Sequence, residues 1–275
     1  MAFNSGTVIT STHNPSIRRA RSLLRRKGRR EERAFLVEGF RAVSDMLAAG
    51  ARPEIVFVCD GAEGRAWGAL HRDLPVRLVS AEVFASLSDV PHPQGISAVV
   101  PMDAVADTPR HDVWREALIL VADGVSDPGN LGTLLRSAAG AGVTQVLLSP
   151  RSVDPFNPKC VRAAMGAHFL VSLRQDTPGQ IAEAVAPLPV VAVADAAGEA
   201  TYDAVDWTRP SAIIVGSEAF GPTAEIMALA TAYVRIPLAR HLESLNAGVA
   251  GSLLVLEAAR QRRLASVSQP LFRET

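Results

Sequence analysis

Two cysteines, two lysines and the absence of any long apolar run set the first limits on this chain of 275 residues. Cys59 and Cys160 lie far apart with no further Cys or His at ligand spacing, so neither a disulfide framework nor a zinc site is indicated, and both read as small core or helix residues. The lysines, Lys27 and Lys159, are followed by Gly28 and Cys160, whereas a triphosphate-binding loop needs Gly-Lys-Ser/Thr. A dinucleotide enzyme needs GxGxxG at a strand-to-helix turn; "GAGVTQ" lacks the last glycine and follows a helical pattern. There is no GxSxG elbow, which argues against an α/β-hydrolase. The six histidines form no HxxxH pair, and His241 reads as a loop residue. No apolar stretch approaches the roughly 18 residues of a membrane span. The N-terminus "MAFNSGTVITSTHNPS" lacks the charged-then-apolar plan of a secretory signal, so the expected location is the cytoplasm.

What is present is a globular composition, 48% hydrophobic and 20% charged, on a chain long enough for about two domains. The net charge of +0 hides a segregation. Residues 18–33 carry nine positive side chains against Glu31 and Glu32, which leaves the rest of the chain net acidic. A basic arm on an acidic body attracts a polyanion locally, and nucleic acid is the commonest such partner; a solvated helix face is the alternative. Arginine in place of lysine suits bidentate phosphate contacts, and codon usage would account for it equally.

Helix and strand patterns alternate along the chain. "NPSIRRARSLLRRKG" reads as one capped helix with Ile17, Ala20, Leu23 and Leu24 on its apolar face. Strand–helix pairs follow: "AFLVEG" with "FRAVSDMLAAG", "EIVFV" with "AEGRAWGALHR", "VRLV" with "AEVFASLSD", and then the strand "GISAVV". This predicts a small α/β domain over residues 1–101 and a proline-containing linker over 102–115. A second domain is expected over 116–275, with strands "ALILVA", "QVLLS", "VVAVA", "AIIVG" and "YVRIP" in a parallel sheet covered on both faces.

Three polar loops in that second domain follow buried strands, at the edge where open α/β sheets bind ligands. In "SDPGNLGTLLRSAAGAG", Asn130 occupies the expected N-cap position, Leu131, Leu134, Leu135 and Ala138 form the apolar face, and Arg136 points away from it. In "AIIVGSEAFGPT", Gly216 and Gly221 flank Glu218. In "YVRIPLARHLESLNAGVAGSLLVLEAAR", Glu243, Ser244 and Asn246 stand before a helix rich in small residues.

These stretches, in this order, resemble the three motifs of the SpoU (TrmH-type) RNA ribose methyltransferases of the SPOUT superfamily. "FLVEGFRAV" and "HPQGISAVV" are similar to the RNA substrate-binding module that precedes the catalytic domain in many members. The resemblance implies a C-terminal domain whose last part is threaded into a deep trefoil knot, against the general rule for protein chains. It also implies a homodimer formed through the catalytic domain, S-adenosylmethionine as cofactor, and no metal.

By resemblance Arg136 is the central catalytic residue, with Asn130, Glu218, Ser244 and Asn246 completing the site. The cofactor set is Val215, Gly216, Ser217, Gly221, Ile236, Leu238, Ser244, Leu245 and Asn246. Methyl transfer to a ribose 2′-hydroxyl needs alignment and removal of a proton. A guanidinium keeps its proton in nearly every protein environment, so Arg136 reads as a phosphate clamp and a stabiliser of developing alkoxide charge. The expected RNA contacts are Arg18, Arg25, Arg26, Arg29, Arg30 and Arg41, and the expected substrate is 23S ribosomal RNA. The alternatives are transfer RNA, or a non-catalytic RNA-binding assembly factor. The chain departs from the usual motifs at Ala247–Gly248, where many relatives have Val-Ser and thus a hydroxyl near the cofactor, at Leu238 for methionine, and at Ser217 for asparagine.

Overall fold

A computed structural model describes residues 7–105, 117–240 and 242–267. The contacts divide the chain into two compact units, residues 1–106 with 154–170, and residues 107–153 with 171–275. Most of the predicted linker, residues 106–115, and His241 lie outside the described residues; Met102–Ala104 form a single 3-10 turn.

The first unit opens on α1 (Pro15–Ser22), where Asn14 caps the helix by accepting from the Ser16 amide and Pro15 starts it. The single helix expected here is two. The chain turns at Leu23–Arg25 into α2 (Arg26–Glu32), and Gly28 fits so tightly against α1 that a Cβ there would lie 2.2 Å from the Ser22 carbonyl oxygen. The carbonyl of Leu23, released from the helix by this turn, is recovered by Arg29, whose Nη1 donates to it at 2.8 Å.

The elements β1 (Ala34–Glu38), α3 (Phe40–Ala48), β2 (Ile55–Cys59), α4 (Ala62–Leu70), β3 (Val76–Val79), α5 (Ala81–Ala85) and β4 (Ile96–Pro101) follow the predicted order. The strands form a sheet in the order β1-β4-β2-β3, with β2 and β3 parallel and the other pairs antiparallel. One face packs Leu36, Phe57, Val79 and Val99 against Ile17 and Leu23 of the N-terminal helices and Phe84 of α5.

The other face of β1 is covered by residues 154–170, which include α7 (Pro158–Ala164) and which the sequence pattern places in the second domain. Phe35, wholly buried, meets Phe156 and Phe169 with ring centroids 4.8 and 6.1 Å away. His168 is equally buried beside them, and its Nε2 lies 2.8 Å from the Pro155 carbonyl, to which it donates as the neutral ring. Arg162 of α7 pairs with Asp89.

Burial pushes the His168 pKa down to about 4. Below its ordinary value the unfolded chain binds a proton that the folded chain refuses, so stability is complete at neutral pH and declines as pH falls from about 6.5 towards 4. Urea unfolding should lose about 2 kcal/mol between pH 7 and pH 5 relative to His168→Gln, which keeps a donor for Pro155. Parallel pH profiles for the two proteins would refute this.

The second unit contains β5 (Leu118–Asp123), α6 (Pro128–Ala141), β6 (Gln145–Leu148), β7 (Ser172–Gln175), α8 (Pro178–Val185), β8 (Val190–Ala194), β9 (Ala200–Thr201), β10 (Ser211–Gly216), α9 (Ala224–Met227), β11 (Ala232–Arg235) and α10 (Ala247–Val267). All seven strands are parallel, in the order β7-β6-β5-β10-β8-β11-β9. The short strands β7 and β9 are additions to the five expected from the sequence. Every residue of β5 and β10 is buried, as strands covered on both faces require. Ile119, Val121 and Ile214 pack with Ile181 and Val185 of α8 and Ile226 of α9. On the opposite face α10 lies against α6 and β10, where a Cβ on Gly251 would come within 2.4 Å of the Leu134 side chain and 2.8 Å of Val215.

Candidate functional site

The loops after β5, β10 and β11 converge at the carboxyl edge of the sheet. The first begins with Asp127, and this residue, not Asn130, is the N-cap of α6: its side chain accepts from the Asn130 amide at 3.0 Å, with Pro128 in the first helical position. Asn130 is thereby displaced into the first turn, and its side chain is free of capping.

That side chain joins the three motifs. Asn246 caps α10 by accepting from the Val249 amide at 3.2 Å, so its amide nitrogen must turn outward, and it donates to Asn130 Oδ1 at 2.9 Å. Asn130 Nδ2 in turn donates to Glu218 Oε1 at 2.7 Å. Ser126 completes the set, its hydroxyl and amide donating to Glu218 Oε2 at 3.1 and 3.4 Å. The direction of every bond in this chain follows from the cap at its far end. Burial pushes the Glu218 carboxyl up, but the hydrogen bonds from Asn130, its own backbone amide and Ser126 outweigh it and hold the group below the ordinary range. Glu218 is therefore a fixed acceptor that orients Asn130 at neutral pH.

The loop carrying Glu218 is itself pinned. Ser217 and Gly221 exchange backbone hydrogen bonds at 3.1 and 2.9 Å, and Gly221 takes a left-handed φ of 66°. A Cβ on Gly216 would lie 2.1 Å from the Pro222 nitrogen, so only glycine passes there. Beneath it the buried carboxylate of Asp123 accepts from the Thr223 amide at 2.6 Å and hydroxyl at 2.8 Å.

Beside this network opens a cleft of about 530 Å³, the size of a drug-sized ligand site. Of the predicted cofactor residues, Val215, Gly216, Ser217, Gly221, Ile236, Leu238, Ser244 and Leu245 line it; Asn246 does not, being engaged with Asn130 and α10. Glu218 lines it as well. Sequence reasoning missed a further wall, Ala194–Ala196 at the end of β8, together with Arg235, Leu242 and Ala247; Glu243, noted in the third loop, lines the cleft as well. The available signal is "VVAVAD", a buried strand ending on an acid just as "AIIVGSE" does. Gly248, where the resemblance leads to an expectation of serine, is not in the lining: a Cβ there would meet Asn246 Oδ1 at 3.1 Å and Asn130 Cα at 3.2 Å, so a side chain at this position bears on the asparagine pair.

Two predicted catalytic residues stay outside the network. Ser244 is exposed at the cleft, and Arg136 is exposed on α6; among the described residues neither side chain makes a hydrogen bond or ion pair. No three His, Cys, Asp or Glu side chains gather to hold a metal among the described residues, and no described helix is long and apolar enough to cross a membrane.

In the first unit, Arg18 and Arg25 border a second groove with Arg21 and Lys27. Arg26 and Arg30 are exposed. Arg41 is exposed and pairs with Asp45 one turn on, at 3.1 Å. Arg29 departs from the expectation. It is 2% exposed, and its Nε and Nη2 hold Asp154 Oδ2 at 3.0 and 2.6 Å. The small residue beside it, Gly28, lets α2 fold against α1 and carries Arg29 inward, so it is a structural residue and not a surface RNA contact.

Residues 117–256 match the SpoU rRNA Methylase family, and residues 14–98 match the MRM3-like substrate binding domain. The chain is 33% identical to an uncharacterized tRNA/rRNA methyltransferase of Synechocystis, over 94% of this chain and 95% of the relative. It is 30% identical to the 23S rRNA (guanosine(2553)-2′-O)-methyltransferase RlmP of Bacillus subtilis, over 90% and 97%. An AdoMet-bound rRNA methyltransferase from Sinorhizobium meliloti superposes with a TM-score of 0.79 at 29% identity, covering 92% of this chain and 97% of the other. Apolar side chains, a glycine that admits no side chain, and the polar groups of Asp195, Ser217, Glu243 and Ser244 line the cleft and fit an adenosyl cofactor. The chain belongs to the SpoU family and is an S-adenosylmethionine-dependent RNA 2′-O-methyltransferase.

Proposed function

We propose that the chain methylates a ribose 2′-hydroxyl of 23S ribosomal RNA in the cytoplasm. The observation that carries the chemistry is the Asn246–Asn130–Glu218 chain beside the cleft, which fixes one residue from each of the three motifs relative to the others. The choice of ribosomal RNA rests on the Bacillus subtilis relative, nearly all of whose length this chain spans, and on the additional N-terminal unit.

S-adenosylmethionine supplies an electrophilic methyl group. The chain supplies alignment. Val215, Ile236, Leu238 and Leu245 give the cleft its apolar walls, and Gly216 brings its backbone to the cleft without side-chain bulk. Ser217 and Ser244 add hydroxyls at the rim. Arg136, exposed and unpaired among the described residues, grips the phosphate of the target nucleotide and steadies the charge that develops on its ribose oxygen.

The homodimer belongs to this reading. Val249, Leu253 and Leu256 of α10 are 46%, 36% and 49% exposed and fall on one helical stripe, a surface that association would cover. The trefoil knot belongs to it too, supported by the return of α10 from β11, near the sheet edge, to pack on α6 and β10.

Transfer of labelled methyl to total rRNA and total tRNA from an unmodified strain tests the proposal. Label should appear in 23S RNA as an alkali-resistant dinucleotide; label in tRNA alone would overturn the substrate, none in either pool despite cofactor binding would point to an assembly intermediate as the substrate form, and no cofactor binding either would favour the assembly-factor reading. The exposed arginines give a second readout. Changing Arg25, Arg26 and Arg30 to serine should weaken RNA binding and reduce the slope of log affinity against log salt by about 0.7–0.9 for each phosphate no longer neutralised, with cofactor binding unchanged. An unchanged slope in a filter-binding titration would remove the arm from the RNA interface.

A further inference from the structure

The cofactor residues that the resemblance implies stand at the end of β10 and on the loops after β10 and β11, but the cleft has a third wall. β8 lies between those two strands, and Asp195, the first residue beyond it, lines the cleft. Its loop is held rigidly. The Asp195 amide donates to the Val234 carbonyl at 2.9 Å, and the Arg235 guanidinium donates to the carbonyls of Gly198 and Glu199, each at 2.6 Å. Gly198 approaches β11 so closely that a Cβ would fall 2.7–2.8 Å from the carbonyl groups of Tyr233 and Val234.

The side chain is ordered but only half used. Asp195 Oδ1 accepts from the Ala197 amide at 2.9 Å, while Oδ2 accepts no hydrogen bond among the described residues. The other carboxylates of the cleft differ. Glu218 is occupied by Asn130 and Ser126, and Glu243 is exposed on the loop after β11. Asp195 is therefore the half-buried acid that is both fixed in place and left with lone pairs to satisfy.

We propose that Asp195 accepts hydrogen bonds from the ribose hydroxyls of the adenosyl cofactor. The proposal rests on the reading of the cleft as the cofactor site. A vicinal diol presents two donors to an acceptor-only group, and a carboxylate just past a strand of an open α/β sheet is well placed to take a ribose hydroxyl. The cofactor's other donors are its α-ammonium group and the 6-amino group of adenine; methylthioadenosine separates the first from the ribose, and the deoxy forms separate the second.

Calorimetric titration would use S-adenosylhomocysteine, its 2′-deoxy and 3′-deoxy forms, and methylthioadenosine, which keeps the diol and lacks the ammonium group. The variant is Asp195→Asn, whose amide oxygen can still accept from Ala197 while its nitrogen cannot accept from a hydroxyl; Asp195→Ala is the second. Both should weaken S-adenosylhomocysteine and methylthioadenosine alike, by about 10- to 100-fold, and should lose the preference of the wild type for the intact ribose. Unchanged affinity, retained discrimination against the deoxy forms, or weakening confined to S-adenosylhomocysteine would each overturn the assignment. Failure of the wild type to bind S-adenosylhomocysteine at all would overturn the cofactor reading itself.

Discussion

Replacing Arg136 by alanine lowers methyl transfer by about 100- to 1000-fold, the usual loss when one group that stabilises developing charge is removed. The same substitution leaves S-adenosylhomocysteine affinity unchanged and stability within about 0.5 kcal/mol, because Arg136 is exposed and makes no hydrogen bond or ion pair that folding depends on among the described residues. Arg136→Lys keeps the charge but loses the planar pair of donors, and rescues little. Asn130→Ala behaves differently: Glu218 and Asn246 both lose a partner, so activity and the order of the motif loops fall together. Single-turnover kinetics beside cofactor titrations separate the two cases. An Arg136→Ala protein retaining more than about a tenth of wild-type rate would remove Arg136 from the chemistry.

Arg29→Ala has the largest expected effect on stability, about 3–5 kcal/mol. Its side chain is 2% exposed and spends donors on both Asp154 and the Leu23 carbonyl. Truncation leaves a carboxylate that is 13% exposed and a carbonyl freed by the break between α1 and α2, both without their partner. Arg30→Ala, next in sequence and exposed, is the control and should cost less than about 0.5 kcal/mol. Urea unfolding that ranks the two equally would show that the buried pair contributes little.

The contrast between those neighbours marks where sequence reasoning reaches its limit. Strand positions such as those of β5 and β10 are legible because continuous burial on both faces demands a continuous apolar run. The site loops are legible because their glycines and acids follow such runs. Arg29 is not, since its burial depends on Gly28 meeting Ser22 and on Asp154, a residue distant in sequence. Asn130 and Asp127 both suit a cap in the sequence, and the path of the turn decides that Asp127 reaches the amide. β7, "SLRQ", lacks an apolar run because it lies at the sheet edge. Asp195 escapes a motif-based reading because "VVAVAD" carries no glycine signature, although its place between β10 and β11 makes it central.

Residues 154–170 complete the first unit from inside the sequence of the second. On the ribosome, β4 emerges well before Phe156, His168 and Phe169, the aromatic neighbours of Phe35. At roughly 5–20 residues per second, Phe169 follows Pro101 by about 3–14 s. During that interval the newborn first unit presents one bare face of β1, and a gene cut after residue 101 makes the interval permanent.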